Sequence, residues 1–174
     1  MRIETPRLLL RPLEEADLTA FSAYVMDATL SRMYGLPVGM DHDTAAKIFH
    51  AFLQGGKTSA LVLRETGCMI GHLMAVPPEL PAEALTQLDG VQGVTLAYAI
   101  APGHQRQGLA FEALSAAIGH LFRQDMDYIH CGYYDFNLPS RRLQEKLGFQ
   151  PFGTHSFQRQ NDSITIVDNI LWRK

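Results

Sequence analysis

The sequence predicts a mixed α/β layer fold, and three observations predict it. Residues 94–100 read as a strand, and a tight loop then opens a long amphipathic helix over 108–124. A second apolar strand-like run, 127–134, leads into a helix over 138–147. Between them and the N-terminal part, Ser59 to Glu65 and Cys68 to Val76 form a hairpin pattern turning near Thr66-Gly67.

The remaining elements follow in order. Residues 7–11 read as a strand, 14–27 as a helix and 41–54 as another. Pro77 to Val91 reads as a loop rich in Pro, Glu and Leu. In 108–124, Leu109, Ala113, Leu114, Ala117, Ile118, Leu121 and Phe122 make one apolar stripe at helical spacing, with Glu112, Ser115 and Arg123 elsewhere. For 138–147, Asn137 is a fitting cap, Pro139 suits a first helical turn and Gly148 suits a helix stop. Two closing strands are expected near 150–158 and 163–172. No internal repeat, low-complexity tract or linker interrupts the chain, so 1–174 reads as a single domain.

Composition bounds the function. Hydrophobic residues make up 47 % of 174, enough for a sizeable core. Fifteen basic and eighteen acidic residues give a formal charge of −3, which argues against a general nucleic-acid or membrane-surface binder. No apolar run approaches the roughly 20 residues of a membrane span. Met1-Arg-Ile-Glu-Thr shows no signal-peptide pattern. Cys68 and Cys131 both sit in strand-like apolar contexts and are expected to be buried, reduced thiols of a cytoplasmic protein.

The chemistry concentrates in Tyr98-Ala-Ile-Ala-Pro-Gly-His-Gln-Arg-Gln-Gly-Leu-Ala110, which carries Gln105-x-x-Gly108-x-Ala110. The first N–H groups of a helix have no partner within it, and the helix dipole favours an anion there. Gly108 lets the backbone approach a phosphate closely. No Gly-Lys-Ser/Thr follows, so this is not a nucleotide P-loop, and Gly-x-Gly-x-x-Gly is absent. Alone, the glycine is a weak signal and reads first as an ordinary strand-to-helix turn. The second stretch is Asn137-Leu-Pro-Ser-Arg-Arg-Leu-Gln-Glu-Lys-Leu-Gly-Phe149, after Tyr128-Ile-His-Cys-Gly-Tyr-Tyr134.

The pair, Gln-x-x-Gly-x-Ala and then Asn-x-x-Ser-x6-Leu-Gly-Phe, resembles the GNAT superfamily of acetyl-CoA-dependent N-acetyltransferases. Glu4-Thr-Pro-Arg-Leu-Leu-Leu-Arg11, with Asp17 shortly after, and Ile170-Leu-Trp-Arg173 resemble its RimJ/RimL-type branch. The resemblance covers essentially the whole chain. It implies the GNAT fold, a mostly antiparallel mixed sheet flanked by helices, with a splay between the fourth and fifth strands where the family binds the cofactor. It implies acetyl-CoA as co-substrate, no metal, and an amine acceptor, either a protein N-terminus or a small molecule. A homodimer is expected at family level only.

Residue by residue, the resemblance places Tyr98, Ala99, Ile100 and Ala101 against the pantetheine arm through their backbone. It places the N–H groups of Gln105, Arg106, Gln107, Gly108, Leu109 and Ala110 around the pyrophosphate. Asn137 stands where the family contacts pantetheine, and a helix cap is an equal reading. Arg106, Arg141 and Arg142 could meet phosphates or simply face solvent. Many family members carry a tyrosine before the Leu-Gly-Phe as general acid toward the leaving sulfur; here that position is Gln144, and an amide cannot donate a catalytic proton. Ser140, one turn earlier, is the candidate acid, against a plain first-turn hydroxyl. His72, Tyr98 and Glu79 (or Glu83) are the base candidates, with a water chain equally open and no metal-ligand spacing among the histidines. Glu79, Glu83 and Asp89 would favour a cationic amine if their loop lines the acceptor side. The alternative from another class is a non-catalytic acyl-CoA-binding or sensing domain, kept open by Gln144.

Overall fold

The computed structural model describes residues 1–159 and 162–174, which fall into two compact units. The first comprises Met1–Met74 and Tyr98–Ala117, the second Ala75–Ala97 and Ile118–Lys174. The strand order of the sheet is β1-β2-β3-β4-β5-β6-β8-β7.

In the first unit, β1 (Ile3–Glu4) and β2 (Leu8–Pro12) form an antiparallel pair. Leu8 and Leu10, alternate residues of β2, are fully buried, as a half-buried strand requires. β2 pairs antiparallel with β3 (Thr58–Leu63), and β3 with β4 (Met69–Val76), across the expected hairpin. Three helices follow β2: α1 (Leu18–Val25), α2 (Ala28–Tyr34) and α3 (His42–Gly55). Phe21 of α1 is the hub of their core, edge-to-face with Phe49 at 5.4 Å and Phe52 at 5.8 Å between ring centroids. Arg11 forks onto Asp17 at 2.7 and 2.8 Å and so ties β2 to the turn before α1.

The expected single helix over 14–27 is corrected. A 3-10 turn, Glu15–Asp17, precedes α1, and Asp27 ends the run by capping a new helix, its Oδ1 accepting the Leu30 N–H at 2.8 Å. A competing cap overrides the apolar periodicity.

In the second unit, α4 (Ala82–Gln87) is followed by β5 (Gly93–Ile100), whose last residues belong to the first unit. The loop expected over 77–91 therefore contains a short helix. Ala82-Glu-Ala-Leu-Thr-Gln87 are mostly strong helix formers, and prolines precede rather than interrupt them. Helix α5 (Leu109–Phe122), whose residues up to Ala117 belong to the first unit, follows β5 and buries the expected stripe from Leu109 to Leu121. β6 (Tyr128–Tyr134) pairs parallel with β5 through only three residues, Gly93↔Tyr128 to Thr95↔His130. Because β1 adds a strand to the count, β5 and β6 are the fourth and fifth strands of the sequence reading. A short parallel ladder is the feature a splay between them requires. β6 also pairs antiparallel with β8 (Asp162–Trp172), and β8 with β7 (Gln150–Arg159). Helix α6 (Leu138–Leu147) ends at Gly148 in the left-handed conformation. A small core of Leu88, Tyr128 and Ile170 supports this unit.

Cys131 is buried, and its thiol is pushed up to about 12 by burial. Cys68 is corrected: it is exposed, because it lies in the hairpin turn before β4 begins.

Candidate active site

The turn between β5 and α5 lies in the first unit. At the end of β5, Ala101 N–H donates to Ile70 O at 2.8 Å, so that residue's backbone faces β4. Strand backbone groups alternate in direction, which turns those of Tyr98 and Ile100 away from β4. Ile100 O accepts from Gln105 Nε2 at 2.9 Å. Pro102–His104 form one 3-10 turn, and Gln107 Nε2 closes it by donating to Gly103 O at 3.1 Å. Both glutamine side chains thus hold the loop rather than reach outward.

Arg106 and Gly108 are left-handed, with φ of 61° and 78°. Left-handed residues spaced this way make a concave run of backbone N–H groups that suits an anion. The first turn of α5 follows at once, with Glu112 N–H bonding Gly108 O at 3.0 Å. Leu109 is buried and anchors the helix; Ala110 is half-buried; Gln105, Arg106, Gln107 and Gly108 are exposed.

Sequence reasoning missed what fixes this turn from outside. Arg7 Nη1 donates to Gln107 O at 2.9 Å, and its Nε meets Glu112 Oε2 at 2.6 Å. Thr5 Oγ1 donates to Glu112 Oε1 at 2.6 Å, and Arg7 N–H to the same oxygen at 2.8 Å. Partial burial works to raise the Glu112 carboxyl. The hydrogen bonds from Thr5 and Arg7, with the Arg7 charge, outweigh it and hold the group below its ordinary range. Arg7 and Glu112 were both legible as residues. Their pairing across 105 positions was not.

A cleft of about 380 Å³ opens beside the loop, lined by Ala20, Tyr24, Asp27, Met69, Ala101 and His104 among others. Tyr24 hydrogen-bonds His72 Nδ1 at 2.7 Å. His72 is fully buried among Phe21, Tyr24, Tyr34 and Phe52, and burial pushes its imidazole down to about 3. Its Nε2 has no hydrogen-bond partner among the described residues. It is neutral at physiological pH and a weak base. Tyr98 is half-buried on β5.

In the second unit, Asn137 caps α6: its Oδ1 accepts the Ser140 N–H at 3.1 Å, and Pro139 occupies the first turn. Gln144 is completely buried. Its Oε1 accepts from Asn169 Nδ2 at 2.7 Å, and its Nε2 donates to Ser140 Oγ at 3.2 Å. Because Ser140 accepts from Gln144, its own O–H serves as a donor elsewhere. Gln144 thus orients the neighbouring hydroxyl. Arg141 pairs with Glu145 at 2.8 Å, and that partner raises its pKa. Arg142, Glu79, Glu83 and Asp89 are exposed. Glu79 offers its backbone N–H to Thr95 Oγ1 at 2.9 Å.

Among the described residues, no group of three His, Cys, Asp or Glu side chains is placed to hold a metal, and no helix is long and apolar enough to cross a membrane.

β5 thus runs through a turn with left-handed Arg106 and Gly108 straight into α5. Residues 7–150 match the acetyltransferase (GNAT) domain, and the chain belongs to the GNAT acetyltransferase family. Members of that family use acetyl-CoA. Among solved structures, an acetyltransferase of the GNAT family from Bacillus anthracis superposes with a TM-score of 0.84 at 20 % identity, covering 99 % of this chain and 98 % of that one. RimJ from Mycobacterium smegmatis, in complex with CoA-disulfide, gives 0.72 at 19 % identity over 95 % and 81 % of the two chains. Spermidine N-acetyltransferase from Vibrio cholerae, in complex with CoA and spermine, gives 0.75 at 16 % identity over 97 % and 96 %. Comparison with curated proteins gives no significant match.

Proposed function

We propose that the protein is an acetyl-CoA-dependent N-acetyltransferase that moves the acetyl group to a primary amine by direct attack in a ternary complex. The turn at Gln105–Ala110 carries this reading: left-handed Arg106 and Gly108, followed directly by a 14-residue helix, aim backbone N–H groups at one anion. The pyrophosphate binds there, and the pantetheine arm runs back along β5 beside Tyr98 to Ala101. Asn137 adds a side-chain contact to its capping role, and Arg141 stays near solvent with Glu145. Ser140 donates a proton to the leaving sulfur; its acceptance of the Gln144 amide supports that role.

The acceptor is a protein N-terminus or a small amine. The likeness to spermidine N-acetyltransferase supports a cationic amine, and exposed Glu79 and Glu83 would attract one. The opening Glu4–Arg11 and the likeness to RimJ support the RimJ/RimL-type branch. Since the family match spans 7–150, crossing both units, the chain reads as one domain. A cytoplasmic location and a homodimer complete the proposal.

Calorimetry with acetyl-CoA tests it. Gly108→Glu places a negative side chain where phosphates bind and should weaken affinity about 10-fold or more, roughly 1.4 kcal/mol per tenfold. Gly108→Ala, strained at φ 78° but uncharged, should weaken it less. Parental affinity in a folded Gly108→Glu protein overturns the placement. Tight binding with no thiol release for any amine in a panel would favour the sensing domain instead.

A further inference from the structure

Arg7, the residue before β2, is pinned at both ends of its backbone within the first unit. Its N–H donates to Glu112 Oε1 at 2.8 Å, and its carbonyl accepts the Arg64 N–H at 3.0 Å. Thr5 Oγ1 donates to the same Glu112 oxygen at 2.6 Å. With Oε1 turned to these two donors, Glu112 meets the guanidinium through Oε2, at Nε and 2.6 Å. A carboxylate that pairs side-on with an arginine ordinarily takes Nε and an Nη together, one through each oxygen. Here the main chain and Thr5 hold one of those oxygens.

That arrangement leaves part of the guanidinium fork without an acceptor. Nη1 donates to Gln107 O at 2.9 Å, and Nη2 makes no hydrogen bond among the described residues. Nη2 stands beside the turn: a Cβ built on Gly108 would lie 3.5 Å from it. The Arg7 side chain is 48 % exposed and the Glu112 side chain 16 %, so the anchor is partly shielded while the fork stays within reach of a ligand. A fixed cation with a spare donor, next to left-handed Arg106 and Gly108, adds a formal charge to a turn that otherwise offers backbone dipoles.

Resting on the acetyl-transfer reading, we propose that Arg7 is a phosphate-binding residue of the acetyl-CoA site. Its Nη2 donates to a pyrophosphate oxygen that the N–H groups of the Gln105–Ala110 turn also hold. Through Nη1 and Gln107 O the same side chain fixes the shape of the turn, so one guanidinium both builds the site and contacts its ligand. A charge-assisted bond of this kind is about twice as strong as a neutral one. Thr5 and Glu112 are positioning residues that act through Arg7. Lysine is no substitute: it carries a point charge on a flexible stem and lacks the planar fork that spans Glu112, Gln107 O and a phosphate in fixed geometry.

Calorimetry with acetyl-CoA tests the contact. Arg7→Gln removes the charge and should weaken affinity about 10-fold or more, the lower end for a lost hydrogen bond to a charged group. Parental binding should weaken between about 0.05 and 0.3 M salt, and that dependence should shrink in Arg7→Gln, because exposed charges are screened over this range. Arg7→Lys should keep the salt dependence and recover only part of the affinity. Dephospho-CoA, which keeps the pyrophosphate and lacks the ribose phosphate, should show the same loss with Arg7→Gln. The parent protein gives a reading that needs no variant: phenylglyoxal, which modifies arginine, should label Arg7 in the free protein, and acetyl-CoA should block that label in peptide mass spectrometry. Parental affinity in a folded Arg7→Gln protein overturns the contact. So does a loss that keeps the parental salt dependence, since that is a structural role in the turn. A loss with acetyl-CoA but none with dephospho-CoA overturns it too, by assigning Arg7 to the ribose phosphate. Should Arg7→Gln fail to fold, the label decides, and equal labelling with and without acetyl-CoA overturns the contact. Weakened binding in Gly108→Glu beside parental binding in Arg7→Gln removes Arg7 and leaves the turn standing. If the parent binds no acetyl-CoA, the acetyl-transfer reading falls and takes this contact with it.

Discussion

His72 and His130 are both strand histidines, buried to 0 % and 3 % exposure, yet their surroundings differ in kind. His72 hydrogen-bonds the Tyr24 hydroxyl through Nδ1 and otherwise sits in a cage of aromatic rings. His130 has a partner on each nitrogen, one of them a carboxylate. Burial without a countercharge makes an imidazole inert, because the charged form has nowhere to go. His130 instead has a carboxylate oxygen of Asp168 3.0 Å from its Nε2. Depth alone therefore does not set a buried histidine's polar surroundings; the elements packed against it do.

The largest way to break this contrast is to remove the countercharge. Asp168→Ala should cost about 2–3 kcal/mol, because it removes the carboxylate that bonds both His130 and His155 and leaves a buried donor without its acceptor. Urea denaturation at pH 7 reads that loss as a lower midpoint. A cost below 1 kcal/mol would show that the carboxylate is not the centre of the cluster.

A smaller effect sharpens the His72 side. Its folded pKa is about 3, below the unfolded value of 6.5. Between these values the unfolded chain binds a proton that the folded chain refuses, so stability falls as pH drops through about 6.5 toward 3 and is fully present above about 6.5. The contribution is roughly 1.4 kcal/mol per pH unit, or about 2 kcal/mol by pH 5. His72→Phe should flatten that part of the stability–pH curve measured by urea titration. A slope unchanged by the substitution would assign the acid sensitivity to other groups.

The smallest effect is Tyr24→Phe. It removes the one hydrogen bond to His72 and should cost about 1 kcal/mol in thermal or urea unfolding. That cost should be well under the Asp168→Ala loss, since no charge is involved. Equal losses would erase the distinction between the two sites.

The sequence made local features legible and left non-local ones hidden. Asn137, Pro139 and Gly148 mark the ends of α6 by their own chemistry, and the structure places each in that role. Gly67, left-handed, turns the hairpin where the pattern put it. The 14–27 segment failed because periodicity was weighed above the cap at Asp27, although that cap was readable. The helix at Ala82–Gln87 was hidden by neighbouring prolines that suggested a loop. His130 was passed over inside an apolar run. Its partners Thr95 and Asp168 lie 35 and 38 positions away, and only strand pairing brings them together. His72 drew attention as a strand histidine, but its aromatic cage comes from three separate helices. The Gln105–Ala110 turn was readable because its features are consecutive in the chain. Its clasp by Thr5, Arg7 and Glu112 was not.

That clasp also orders events during synthesis. Arg7 and Glu112 are 105 positions apart. At about 5–20 residues per second, roughly 5–20 s separate their appearance on the ribosome. For that interval the segment around Arg7 exists without its carboxylate, and β2 waits for β3 as well. The Gln105–Ala110 turn therefore reaches its final shape late, when the stretch around Arg7 finally meets a helix made about a hundred residues afterwards.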